Sequence, residues 1–144
     1  MCVSATPEQQ ADQLPQILLM EDEANVAKGL KLVLDEAGYE VDWAETGKLA
    51  LELCRRKPYD LVLADLLLPD LDGLEVLKEL RRQRPQTGVI VITGYSTVAS
   101  AVDAMKLGAF DYLEKPFTDD EIKAAIRGAL DRRSNSVHVR TDTV

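Results

Sequence analysis

Residues 60–73 read DLVLADLLLPDLDG. Leu61–Ala64 is an apolar run of strand length, and it stops at an acid, Asp65. A run that is apolar at every position, rather than at alternate ones, is how a strand covered on both faces reads, as in a parallel sheet. Pro69-Asp70-Leu71-Asp72-Gly73 is a turn by composition, and turn chemistry is enough to account for both of its aspartates. Leu77 and Leu80 beyond it lie on a helical stripe. The segment is therefore strand, acid, turn, helix.

The same unit recurs on both sides. Strand-sized apolar runs lie at Ile17–Met20, Tyr39–Trp43, Val89–Ile92 and Phe110–Leu113. Between them run helical stripes. Val26, Leu30, Val33, Leu34 and Ala37 stop at Gly38, a residue suited to a helix C-terminus. Leu49, Ala50, Leu53 and Cys54 are ended by Pro58. Val98, Ala101, Val102 and Met105 are stopped by Gly108. Ile122, Ala125, Ile126 and Ala129 are opened by Thr118 with Glu121 three residues on, a capping box. Five strand–helix units in succession predict an α/β fold, a parallel sheet with helices on both faces. The domain is expected over residues 16–133, between flexible segments at 1–15 and 134–144.

At 144 residues the chain is one ordinary domain. Apolar types make up 46% and charged types 29%, a globular composition. Seventeen basic against 25 acidic residues give a formal charge of −8, which disfavours binding to a phosphate backbone through a basic surface. Cys2 and Cys54 have neither disulfide-framework nor metal-ligand spacing. The start of the chain has no secretory pattern, and no apolar run approaches the roughly 18 residues of a membrane span. A cytoplasmic location is the expectation.

In open parallel sheets ligands bind outside the carboxyl ends of the strands. Glu21, Asp22 and Glu23 follow the first strand, Asp65 the third, Thr93-Gly94 the fourth, and Glu114-Lys115-Pro116 the fifth. Three of these carboxylates (Glu21, Asp22, Asp65) thus meet one ammonium and one hydroxyl. Carboxylates held together repel, and a divalent cation relieves this. Oxygen-only ligands suit Mg²⁺ or Mn²⁺. A carboxylate in such a cluster is also a nucleophile for phosphoryl transfer, giving an aspartyl phosphate. Glu23 reads as a first-turn helix acid, Trp43 as packing, and His138 as an uninvolved residue near the end.

From about Gln16 to Arg132 the chain resembles the receiver domain of two-component response regulators. The segments that carry the resemblance are ILLMEDE, DLVLADLLLPDLDGLEVL, VIVITGYS and GAFDYLEKPF, in the family's order and spacing. The strip TGYSTVASAVDAMKLGAFDYLEKPF is most similar to receivers of enhancer-binding transcriptional activators. The resemblance implies a flavodoxin-like doubly wound fold, five strands in the order 2-1-3-4-5 flanked by five helices. It implies that Asp65 is the phospho-acceptor and that Asp22, Asp65 and the backbone carbonyl of Leu67 hold Mg²⁺, with Glu21 acting through a metal-bound water. Glu21 stands where many receivers carry Asp. Thr93 and Lys115 would contact the phosphoryl group, Thr93 and Tyr112 would form the switch, and the Lys115–Pro116 bond would be cis. No organic cofactor is implied.

The implied partner is a sensor histidine kinase or a phosphotransfer protein. The implied output is altered binding, to another protein or to a second copy as a phosphorylation-dependent homodimer, through the fourth helix, fifth strand and fifth helix. Ala104 and Lys106 are expected on that face. Such a domain is not an enzyme beyond promoting its own phosphorylation and dephosphorylation. Leu67 and Tyr95 border the implied path of a hydrolytic water, and neither orients water, so slow autodephosphorylation is expected. An aspartate-nucleophile phosphatase would want an acid at position 67, which is Leu. A flavin carrier would want a hydroxyl- and glycine-rich loop after the first strand, where this chain has Glu21-Asp22-Glu23.

Overall fold

A computed structural model describes residues 14–94 and 98–142, with backbone alone at 98 and 133–142. Ten elements follow in strict alternation: β1 (Gln16–Met20), α1 (Ala24–Glu36), β2 (Glu40–Ala44), α2 (Gly47–Arg56), β3 (Leu61–Ala64), α3 (Gly73–Gln83), β4 (Gly88–Thr93), α4 (Val98–Lys106), β5 (Asp111–Glu114) and α5 (Asp119–Asp142). The strands form one parallel sheet in the order β2-β1-β3-β4-β5. Fold class and strand order match the reading from sequence.

Why the strands are apolar throughout is visible in the packing. Leu18, Met20, Val62, Ala64, Val89 and Val91 point to one side, where they bury Ala50 and Cys54 of α2 and Val76, Leu77 and Leu80 of α3. Their chain neighbours Ile17, Leu19, Leu61, Leu63, Ile90 and Ile92 point to the other, against Leu30 and Leu34 of α1 and Ile122 and Ile126 of α5. Side chains alternate across a strand, so a sheet with two covered faces needs apolar residues at both parities. Gly38 and Gly108 follow α1 and α4 with φ of +97° and +102°, the left-handed turn that releases the chain from a helix. At the start of α5 the capping box is formed: Glu121 N–H donates to Thr118 Oγ1 at 3.1 Å, and Thr118 N–H to Glu121 Oε1 at 2.8 Å.

Two expectations for α4 fail. The stripe through Val102 and Met105 is not the buried face of α4. Both are exposed, and Ala104, expected on the partner face, is buried against the sheet. An alanine face lets a short helix lie close to the sheet, and Leu107, just past the helix, supplies the larger apolar side chain. Lys106 is exposed as expected. Residues 134–142, within the expected flexible tail, carry helical backbone in α5. Neither Gly nor Pro occurs after Gly128, so nothing in the chain forces the helix to stop there. Segment 1–13 and Tyr95 lie outside the described residues. None of the described helices is long and apolar enough to cross a membrane.

Candidate functional site

Strand register builds the site. Met20 is paired with Ala64, so Glu21 and Asp65 leave the sheet side by side. Backbone bonds hold both at the exit: Glu21 N–H donates to Ala44 O and Asp65 N–H to Met20 O, each at 3.0 Å. On the other flank Thr93 pairs with Glu114, and Lys115 N–H donates to Thr93 O at 2.9 Å. Lys115 is thereby aimed across the end of the sheet toward the acids. The Lys115–Pro116 peptide bond is cis.

The Lys115 ammonium bridges two carboxylates, 2.5 Å from Glu21 Oε1 and 2.9 Å from Asp65 Oδ2. The second oxygen of each acid is held by backbone. Glu23 N–H donates to Glu21 Oε2 at 3.1 Å, and Leu67 N–H to Asp65 Oδ1 at 2.9 Å. Trp43 Nε1–H donates to the Glu21 carbonyl at 2.7 Å, so this ring anchors the acidic loop as well as packing. Glu21, Asp65 and Thr93 are buried, whereas Asp22 is exposed.

Burial pushes the Glu21 carboxyl above its ordinary value. The hydrogen bonds from Lys115 and Glu23 offset this in part, and the nearby Asp65 adds to the rise. For Lys115 burial acts against the ammonium, but hydrogen bonds and charge from Glu21 and Asp65 outweigh it and hold the pKa above the ordinary value. Carboxylate oxygens of Glu21, Asp22 and Asp65 lie within 4.8 Å of one another. Three carboxylates against one ammonium leave two negative charges uncompensated when all are ionised. A donor set of oxygens alone with that excess fits a hard divalent cation. The carboxylates of Glu21, Asp22 and Asp65 are the groups that could hold it.

A family model for the response regulator receiver domain matches residues 17–127. The chain belongs to the response regulator receiver domain family. This receiver is 39% identical over 124 residues to the regulatory protein AtoC of Escherichia coli, covering 86% of this chain and 27% of AtoC. It is 41% identical over 117 residues to the response regulator ArlR of Staphylococcus epidermidis, covering 81% of this chain and 53% of ArlR. The receiver thus spans about a quarter to a half of these relatives. In structure it is similar to a CheY-like receiver domain protein of Methanospirillum hungatei, with a TM-score of 0.84 and 30% identity over 86% of this chain and 99% of that one.

The acids and Lys115 converge as the strand-end reading requires. Tyr112 lies on β5, and its hydroxyl shares a hydrogen bond with Ser100 Oγ of α4 at 3.1 Å. Glu23 occupies the N-cap position of α1 but bonds only through its backbone. Asp72 caps α3 by accepting from Leu74 N–H at 2.9 Å, which is turn chemistry. Asp70 does something the sequence reading missed. Its carboxylate accepts from Gly47 N–H at 2.9 Å and Lys48 N–H at 3.0 Å, at the start of a different helix. No local signal marks a contact between residues 22 and 23 positions apart. It follows only from the topology, which brings the start of α2 and the β3–α3 loop to the same edge.

Proposed function

We propose that Asp65 is the phospho-acceptor of this receiver. The observation that carries the reading is the state of its carboxylate. It is buried, oriented by Leu67 N–H and Lys115, and set among acids whose excess charge a divalent cation would balance. A phosphohistidine of a sensor kinase, or acetyl phosphate, would be the donor. An Asp65 oxygen forms a bond to phosphorus while the P–N or P–O bond of the donor breaks. The electron pair leaves on the imidazole or the acetate. Positioning and charge neutralisation are the main needs of such a step. Mg²⁺ or Mn²⁺ held by Asp22, Asp65 and the Leu67 carbonyl, with Glu21 behind, would neutralise the phosphoryl oxygens. Lys115 would pair with one of those oxygens and the Thr93 hydroxyl would donate to another.

The phosphoryl group would draw Thr93 toward it and change the position of Tyr112, shifting the population of the face formed by α4, β5 and α5. Val102 and Met105 give that face exposed apolar surface. Binding of a partner, or of a second copy, would be the output. The likeness to receivers of enhancer-binding activators supports an output in transcription. Leu67, half exposed beside the acceptor, offers no group to orient a hydrolytic water, which supports a long-lived aspartyl phosphate.

The test is incubation with Mg²⁺ and acetyl phosphate, read by intact mass. The parent is expected to gain one phosphoryl group and Asp65→Asn none. Equal labelling of the two would overturn the assignment.

A further inference from the structure

The loop that carries Asp65 into α3 is closed and tethered. Leu67 and Asp72 form an isolated antiparallel bridge across it. Gly73 lies so close to Leu66 that a Cβ there would stand 2.3 Å from the Leu66 carbonyl oxygen. The loop is therefore a tight ring, and its shape sets where Leu67 N–H meets Asp65 Oδ1. One point of the ring is bound outside itself. Asp70 reaches α2 with both oxygens, one to Gly47 N–H and one to Lys48 N–H.

The α2 side is built to receive this contact. The first four N–H groups of a helix lack partners within the helix. In α2 three of these are satisfied by side chains. Asp70 takes those of Gly47 and Lys48, and Thr46 Oγ1 accepts from Leu49 N–H at 3.1 Å; the next, Ala50 N–H, makes the first bond within the helix, to Thr46 O at 3.1 Å. Gly47 permits the approach. A Cβ there would lie 2.9 Å from Val76 Cγ2, 3.2 Å from Leu71 Cδ1 and 3.3 Å from Leu68 Cδ1. A carboxylate at a helix N-terminus is also favoured by the helix dipole. Desolvation works against the Asp70 carboxylate, but the backbone amides of Gly47, Lys48, Asp70 and Leu71 together outweigh it and hold its pKa below the ordinary value.

We propose that Asp70 is a positioning residue for the acceptor site: by locking the β3–α3 loop to the first turn of α2, it fixes the backbone that orients Asp65 and presents the Leu67 carbonyl. This rests on the reading of Asp65 as acceptor. Asp70 does not touch the reacting atoms. It acts through the loop, as a residue one shell behind a ligand does.

A helix cap also stabilises, so the test must separate the two roles. Thr46 caps the same helix turn through Leu49 N–H and not through the loop, which makes Thr46→Ala the control for Asp70→Ala. Two readouts distinguish them. One is hydrogen exchange at the Leu67 amide in metal-free protein. The other is a Mg²⁺ titration followed by the fluorescence of Trp43, whose ring bonds to the Glu21 carbonyl. Both variants are expected to lower the midpoint of thermal unfolding. Only Asp70→Ala is expected to speed Leu67 exchange and weaken Mg²⁺ binding, by about tenfold. Asp70→Asn, which keeps one acceptor, is expected to fall between Asp70→Ala and the parent. Unchanged Leu67 exchange and Mg²⁺ affinity in Asp70→Ala, or equal changes in Thr46→Ala, would overturn the proposal while leaving the acceptor reading intact. A parent that neither binds Mg²⁺ nor takes a phosphoryl group would overturn both.

Discussion

Two clusters built from the same residue types lie on this sheet. At the carboxyl edge, Lys115 bridges Glu21 and Asp65, with Asp22 beside them. On the edge strand β2, Asp42 meets Lys57 Nζ at 3.1 Å and accepts from the Tyr59 hydroxyl at 2.6 Å. The second cluster balances: one carboxylate, one ammonium, and a neutral donor, with the ammonium 5.1 Å from the centre of the Tyr59 ring. Both its charges are open to water. The first buries Glu21 and Asp65, leaves Asp22 exposed beside them, and carries more acid than base. A fold has no stability reason to gather three carboxylates around one lysine, because burying unbalanced charge costs free energy. Stoichiometry and burial, not the presence of charged residues, mark the site.

The sharpest way to break this contrast is the same substitution at both lysines. Lys115→Met leaves Glu21 buried beside Asp65 with no counter-charge, and removal of one partner of a buried pair typically costs about 3–5 kcal/mol. Lys57→Met removes one partner of a half-exposed pair and is expected to cost under about 1 kcal/mol. Urea unfolding in metal-free buffer at neutral pH measures both. Equal losses would show that the carboxyl-edge cluster is an ordinary ion pair. The next effect is ligand linkage. Mg²⁺ at 100 times its dissociation constant is expected to stabilise the parent by about 2.7 kcal/mol. Asp22→Ala, which removes an exposed acid, is expected to lose most of that increment and little else. A stabilisation that survives Asp22→Ala would place the cation elsewhere.

Much of this was legible in the chain. The continuous apolar runs of β1, β3 and β4 read as strands covered on both faces, and the acids after them fell where such sheets hold ligands. Boundaries moved by one residue at most strands. What failed was decided by tertiary packing. In α4 the periodicity allowed two faces, one rich in Val and Met and one in Ala, and the close approach to the sheet selected the small one. Asp70 read as a turn residue because its chemistry is that of a turn residue. Its partners lie 22 and 23 positions earlier and become neighbours only when α2 and the β3–α3 loop meet at one edge. The same holds for Trp43, whose apolar bulk hid a hydrogen bond to the Glu21 backbone.

The smallest expected effect is in pH dependence, and there the two clusters are opposite in sign. Burial holds the Glu21 pKa above its ordinary 4.5 despite Lys115. Between 4.5 and the raised value the folded protein binds more protons than the unfolded chain, so stability falls as pH rises through that window. The hydrogen bond from Tyr59 holds the Asp42 pKa below its ordinary 3.8, with desolvation opposing it and Lys57 assisting. Its contribution is present above 3.8 and is lost as pH falls through the lowered value. In metal-free buffer Glu21→Gln is therefore expected to flatten the decline above pH 4.5, and Asp42→Asn to flatten the loss below pH 3.8. Added Mg²⁺ should oppose the first decline, since it favours the ionised acids, and leave the second untouched. Urea midpoints collected across pH for the parent and both variants decide this. A Glu21→Gln profile parallel to the parent above pH 4.5 would mean that Lys115 compensates Glu21 fully, and the contrast between the clusters would then rest on Asp22 alone.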